Sequence, residues 1–135
     1  MTSLFIDVDE EITIKIFVGK TANGLLVADA DLLVLKEGDN PISGDVEEYE
    51  VICRQPNFKD SVEISSSLFN YSTDEGVGFN PLSARYEKMV KLIKSWSLKG
   101  KDGKEMGVSD ENIAKLHPVI ATAIGTQLDL QVPTV

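Results

Sequence analysis

The stretch EYEVICRQPNFKD, residues 48–60, holds the change of period that decides the fold. Up to Arg54, the residues Tyr49, Val51 and Cys53 alternate with Glu48, Glu50 and Ile52, the two-residue period of a half-buried strand. Pro56 cannot continue a central ladder. Beyond it Phe58, Val62, Ile64 or Ser65, Leu68 and Phe69 recur at mostly helical spacing. The chain before this point is expected to form strands and the chain after it helices.

Toward the N-terminus, Ile12, Ile14, Ile16 and Val18 alternate with Thr13, Lys15 and Phe17, which predicts a strand over Glu11 to Val18. Leu4 to Val8 is a shorter candidate strand. Leu25 to Leu35, after a turn at Thr21 to Gly24, offers one or two more, with the run 32–35 fitting a helix equally well. Glu37 to Asp45 is rich in Gly, Asp, Asn, Pro and Ser and reads as a loop. Glu48 to Arg54 reads as the last strand.

Toward the C-terminus, Asn57 to Asn70 is expected to be a helix, although its serines weaken it. A stronger one follows over residues 81–97. Asn80 can cap it and Pro81 suits its first position, while Leu82, Tyr86, Met89, Val90, Ile93 and Trp96 form one apolar stripe. Ser109 with Asp110, Glu111 and Asn112 marks another helix start, running to Leu116, and Pro118 can open a further segment through Ile124. Residues 127–135 read as an extended tail. The fold class is therefore α+β: an N-terminal antiparallel β-rich half (1–56), a C-terminal helical half (57–125) and a tail (126–135), in one domain of 135 residues.

With 42% hydrophobic and 26% charged residues the chain has globular composition. Its longest apolar stretch, Leu25 to Leu35, is broken by Asp29 and Asp31, so no transmembrane helix is expected. The opening MTSLFIDVDEE turns acidic without a basic region, unlike a secretory signal, and a cytoplasmic protein is expected. Net charge is −9, and residues 1–56 carry 12 acidic and 4 basic side chains, net −8. Such acidity disfavours nucleic acid and anionic membrane as partners, because neutralising phosphates needs positive charge. A protein partner remains. Against this background residues 85–105 are net +4. Arg85, Lys88, Lys91 and Lys94 fall opposite the apolar stripe, where the competing accounts are a solvated face and a docking surface for an acidic partner. Reversing Arg85, Lys88 and Lys91 to glutamate should leave the fold nearly unchanged, because exposed charges contribute little to stability.

The chemistry of catalysis is sparse. Gly19-Lys20-Thr21 resembles the end of a phosphate loop, but that motif needs a glycine where Ile14 stands and a following helix, so a hairpin turn is expected. The acidic clusters at residues 7–11, 29–31 and 39–45 lack calcium-loop spacing and read as solvated charge. One histidine, His117, and one cysteine, Cys53, cannot make a His/Cys zinc site. His117 reads as a helix-boundary residue and Cys53 as a buried filler. Paired carboxylates from distant positions stay open. No cofactor and no enzymatic activity are expected.

Arg54-Gln55-Pro56-Asn57-Phe58-Lys59-Asp60, leading into a helix, resembles the R-x-P-x-x-x-D opening of small tail assembly chaperones and baseplate hub assembly proteins of tailed bacteriophages. The similarity continues in Leu92, Ile93, Trp96 and Leu98, then Asp102-Gly103-Lys104, Val108-Ser109, Glu111-Asn112-Ile113, Leu116 and Pro118, covering roughly residues 50–125. It implies binding of an aggregation-prone or assembly-competent tail or baseplate protein, in the host cytoplasm during assembly. A structural role in the virion tail, with copies of the chain packed on one another, is the alternative. A nucleotide-binding protein or enzyme using Lys20 is a third.

Overall fold

Ten residues of alternating pattern make β1, Glu11–Lys20, the long strand around which the sheet is built. The computed structural model describes residues 4–7, 9–37, 42–72 and 76–132. A tight turn reverses β1 into β2, Leu26–Asp29. In it Thr21 N–H donates to the Leu25 carbonyl and Gly24 N–H to the Thr21 carbonyl, both at 2.9 Å, and Gly24 takes a φ of 79° that only glycine adopts cheaply. A short helix, α1 (Leu32–Glu37), follows under an Asp31 side chain that accepts from Leu33 N–H. β3, Glu47–Arg54, then pairs with the other side of β1 from Val18 opposite Glu47 to Glu11 opposite Arg54.

The helical half adds α2 (Phe58–Ser66), a two-stranded ribbon of β4 (Phe69–Ser72) and β5 (Gly76–Phe79), α3 (Pro81–Leu92), α4 (Asp110–Ala114) and α5 (Pro118–Gln131). Between α3 and α4 the chain returns to the sheet as β6, Ile93–Trp96, antiparallel to β3, giving the order β2-β1-β3-β6. One face of the sheet presents Ile14, Ile16, Val51 and Cys53, all fully buried, to Met89 and Leu92 of α3, Ile113 of α4, and Ile120, Ile124 and Leu128 of α5. Burial pushes the Cys53 thiol up to about 12. The opposite face carries the exposed Glu11, Thr13, Lys15, Glu48 and Glu50. This is the expected α+β class, with β1, β2 and β3 of the antiparallel sheet in the first half and α2 to α5 in the second, although α1 and the later strands depart from a simple division.

Three local expectations are corrected. Residues 4–7 of the candidate strand Leu4 to Val8 form no strand and lead into a turn closed by Glu10 N–H on the Asp7 carbonyl, while Val8 lies outside the described residues, as do 38–41 of the predicted loop. β3 is not the last strand, and the helix expected over 81–97 stops at Leu92. Ile93 and Trp96 are three apart, which reads as helix. In the structure Cys53 faces Ile93 while Val51 faces Trp96, so the extra residue of a bulge lets both side chains point into the core. The helix expected over 57–70 ends at Ser66, with Phe69 already in β4.

The tail is corrected as well, because α5 runs to Gln131. Ile120, Ile124, Leu128 and Val132 repeat every four residues and are all buried. Gly125 interrupts the pattern in sequence for a packing reason. A Cβ there would lie 2.5 Å from Cδ of Arg85, whose side chain lies across the helix at this point.

Candidate partner-binding surfaces

The residues that carry the R-x-P-x-x-x-D pattern form a structural joint. Pro56 ends the strand, and Asn57 caps α2 by accepting from Asp60 N–H at 2.9 Å while Asp60 accepts from Asn57 N–H at 3.0 Å. Arg54 grips the same carboxylate with both terminal nitrogens, at 2.6 and 3.0 Å, and its Nε donates to the Lys91 carbonyl at 3.1 Å. The Arg54 guanidinium, helped by the Asn57 backbone and by Lys91, holds the buried Asp60 carboxyl down at about 2. The joint fixes β3, α2 and the end of α3 to one another.

The four basic residues singled out on α3 and β6 each meet an acid. Asp129 of α5 accepts from Arg85 at 3.2 Å and from Lys88 at 3.3 Å, and Lys88 is only 4% exposed. Lys91 pairs with Glu63 of α2, and with Glu87 at 3.5 Å. Its ammonium is raised and the Glu63 carboxyl lowered by their mutual contact. Lys94 lies on β6, 3.0 Å from Glu11 of β1. The cause is the position of α3 between α2 and α5, whose acids reach its polar side. A sequence shows the basic row but not the acids brought to it from 28 and 41 residues away.

Positive charge without such partners gathers elsewhere, around a cleft of about 700 Å³ at the end of the sheet where β1 finishes and β3 begins. Its floor is the nearly buried Trp96, Leu98 and Ile120, with Met106 and Tyr49 beside them. Trp96 is fixed by its indole N–H donating to the Met106 carbonyl, and Tyr49 by its hydroxyl donating to Glu47. That contact pushes the Tyr49 phenol up to about 12. The rim carries Lys20, Lys99, Lys101 and Lys115 against Asp45 and Glu47.

Lys99 and Lys101 stand on a tight turn. It is closed by Gly100 N–H on the Lys104 carbonyl and Met106 N–H on the Leu98 carbonyl, both at 2.9 Å, with Gly103 at a φ of 75°. Lys115 pairs with Glu111 at 2.8 Å. Lys20, Lys99 and Lys101 have no ion-pair partner among the described residues. The cleft therefore offers three unneutralised ammonium groups above an aromatic and aliphatic floor. That combination suits an acidic polypeptide segment with apolar side chains.

Lys20 thus reaches the cleft from the end of a hairpin strand. Thr21 turns into β2, so the helix that a phosphate loop requires after its lysine is absent at this place. His117 caps α5, its Nδ1 accepting from Val119 N–H at 3.1 Å, and lines the far side of the cleft. Sequence reasoning counted Lys99 and Lys101 within the basic segment 85–105 but had no signal joining them to Lys20, Tyr49 and Trp96. Among the described residues no cluster of three His, Cys, Asp or Glu side chains is placed to hold a metal ion, and no helix is long and apolar enough to cross a membrane. Comparison of the chain with protein families, curated proteins and solved structures gave no match.

Proposed function

We propose that this chain works by binding other proteins, and that its setting is the morphogenesis of a phage tail or baseplate, as an assembly chaperone or hub assembly factor in the host cytoplasm. The observation that carries the binding role is the cleft at the end of the sheet, where Lys20, Lys99 and Lys101 surround an apolar floor in a protein of net charge −9. An acidic segment of a tail protein is the complementary ligand. The setting rests on the similarity over residues 50–125. The Arg54 to Asp60 joint supports it, since the residues of the pattern act together to orient three elements.

Affinity purification from infected cells, before and after particle assembly, tests both parts. The wild type should retain a tail or baseplate protein before assembly, and the Lys20→Glu/Lys99→Glu/Lys101→Glu variant should lose it at physiological salt. Retention of the same partner by the variant would remove the cleft from the account. A partner unrelated to tails would remove the setting.

The second reading, a structural component of the virion tail, is favoured by the separation of charge between the acidic first half and the basic rim, which suits packing of successive copies. Mass spectrometry of purified particles separates the two. A chaperone is absent from the particle and a structural protein is present in stoichiometric amount.

A further inference from the structure

On one side β1 is paired with β3 from Glu11 to Val18, and on the other it is covered only in part. On the β3 side Gln55 N–H donates to the Glu10 carbonyl, and on the far side of β3 Ser97 N–H donates to the Glu50 carbonyl. These two bonds fix the alternation of the ladder. The backbone groups of Ile12, Ile14 and Ile16 turn toward β3, and those of Glu11, Thr13 and Lys15 turn away from it. On the away side β2 covers Phe17 to Lys20 and stops at Asp29. No described residue hydrogen-bonds to the backbone of Glu11, Thr13 or Lys15 on that side. Their side chains are exposed. An edge of free N–H and C=O groups is a template for another strand.

We propose that this edge is a self-pairing surface, on which a second copy of the chain adds its own β1 antiparallel about a two-fold axis at Thr13. The sequence Glu11-Ile12-Thr13-Ile14-Lys15 is complementary to itself in that register. Glu11 faces Lys15 of the second copy, Thr13 faces Thr13, and Lys15 faces Glu11. Each of these three pairs exchanges two backbone hydrogen bonds. Because Glu11 already stands opposite Arg54 and Lys15 opposite Glu50, a continuous row forms across four strands. It runs Glu50, Lys15, Glu11 of the second copy, Arg54 of the second copy, with signs alternating throughout. A two-fold at Glu11 or at Lys15 would set like charges against each other, which disfavours those registers.

The same charges that deter unspecific strand addition thus disfavour the registers centred on Glu11 and Lys15, and the register centred on Thr13 is the one that forms opposite-charge pairs. Five residues of ladder bury far less than the roughly 1,200–2,000 Å² of a stable interface. The association is therefore weak in free solution and strengthened where copies are held close together. The edge lies at the opposite end of β1 from the cleft, so this inference and the binding role stand or fall separately.

Sedimentation equilibrium on the full chain, carried toward millimolar concentration at low salt, is the test. The wild type should show a monomer–dimer equilibrium, and exchange of the Glu11, Thr13 and Lys15 amides should slow as concentration rises. Thr13→Lys puts like charges at the axis without touching any existing ion pair, and should weaken dimerisation by about ten-fold or more. Glu11→Lys and Lys15→Glu should each do the same alone. An equimolar mixture of those two variants restores both opposite-charge pairs and should associate within about three-fold of the wild type. A wild type that remains monomeric overturns the proposal. So does a Thr13→Lys variant that dimerises as well as the wild type, or a mixture no tighter than its components.

Discussion

The basic row of α3 and β6 and the basic rim of the cleft differ in one respect that composition does not reveal. Arg85, Lys88, Lys91 and Lys94 pair with Asp129, Glu63, Glu87 and Glu11, whereas Lys20, Lys99 and Lys101 form no ion pair with any described residue, although Asp45 and Glu47 line the same cleft. α3 is flanked by α2 and α5, each supplying a carboxylate, while Lys99 and Lys101 stand on a short turn beside the end of β1. A row of like charges at helical spacing is therefore a poor guide to what a partner meets. The charge left over after internal pairing is what can steer association.

The sharpest way to break this contrast is to reverse the α3 row. Exposed charges would make Arg85→Glu/Lys88→Glu/Lys91→Glu nearly neutral for stability, as the sequence pattern suggests. The structure requires the opposite outcome. Lys88 is buried beside Asp129, so its reversal sets two carboxylates against each other, and the other two changes repeat the conflict at Asp129 and Glu63. Asp129 itself is half exposed, so the cost falls on the new glutamate, a carboxylate held at the buried position 88 with no cation beside it, about 3–5 kcal/mol, a large part of the stability of an ordinary domain. Urea unfolding of the variant measures it. A loss under about 1 kcal/mol would mean that the row is solvated after all and that the two clusters are alike.

The joint at Asp60 gives a smaller effect, confined to acid. Its folded value of about 2 lies below the ordinary 3.8, so the deprotonated form is the one the fold prefers. The stabilisation is fully present above pH 4 and is lost as the pH falls through 2. A depression of this size corresponds to about 2 kcal/mol. Urea midpoints taken from pH 5 down to 2 should fall more steeply for the wild type than for Asp60→Asn, which has no proton to take up. Parallel curves would show that Arg54 does not select the charged carboxylate.

These two tests bear on features that were unequally legible in the sequence. β1 was legible because Ile12, Ile14, Ile16 and Val18 face a single layer of helices and keep strict alternation. The start of α3 was legible because Asn80 and Pro81 act locally, Asn80 accepting from Ser83 N–H. β6 was not, since its bulge gives Ile93 and Trp96 a spacing that a helix would also give. The second half of α5 was hidden by Gly125, whose reason is a side chain 40 residues away. The basic row was visible as residues and invisible as ion pairs for the same cause. Periodicity records which way a side chain points from its own element, and the partner it meets belongs to another element.

The smallest expected effect on stability is also the one that tests the cleft. Lys20→Glu, Lys99→Glu and Lys101→Glu together exchange three exposed ammonium groups for carboxylates. None of the three has an ion pair to lose, and single exposed substitutions of this kind stay within about 0.5 kcal/mol. The urea midpoint should therefore stay near that of the wild type, in contrast to the α3 reversal, which changes the same number of charges in the same sense. Binding should respond in the reverse order. A peptide carrying acidic and aromatic residues, titrated against each protein, should bind the wild type with an affinity that falls as salt is raised, because exposed charges are screened within about 10 Å at 0.1 M ionic strength. The rim variant should lose both the affinity and the salt dependence. An α3 variant kept below its unfolding temperature should retain both, since the rim is untouched. If the rim variant binds the peptide as the wild type does, the three lysines are merely solvated, and the apolar floor of Trp96, Leu98 and Ile120 is then closed to ligands by the turn above it.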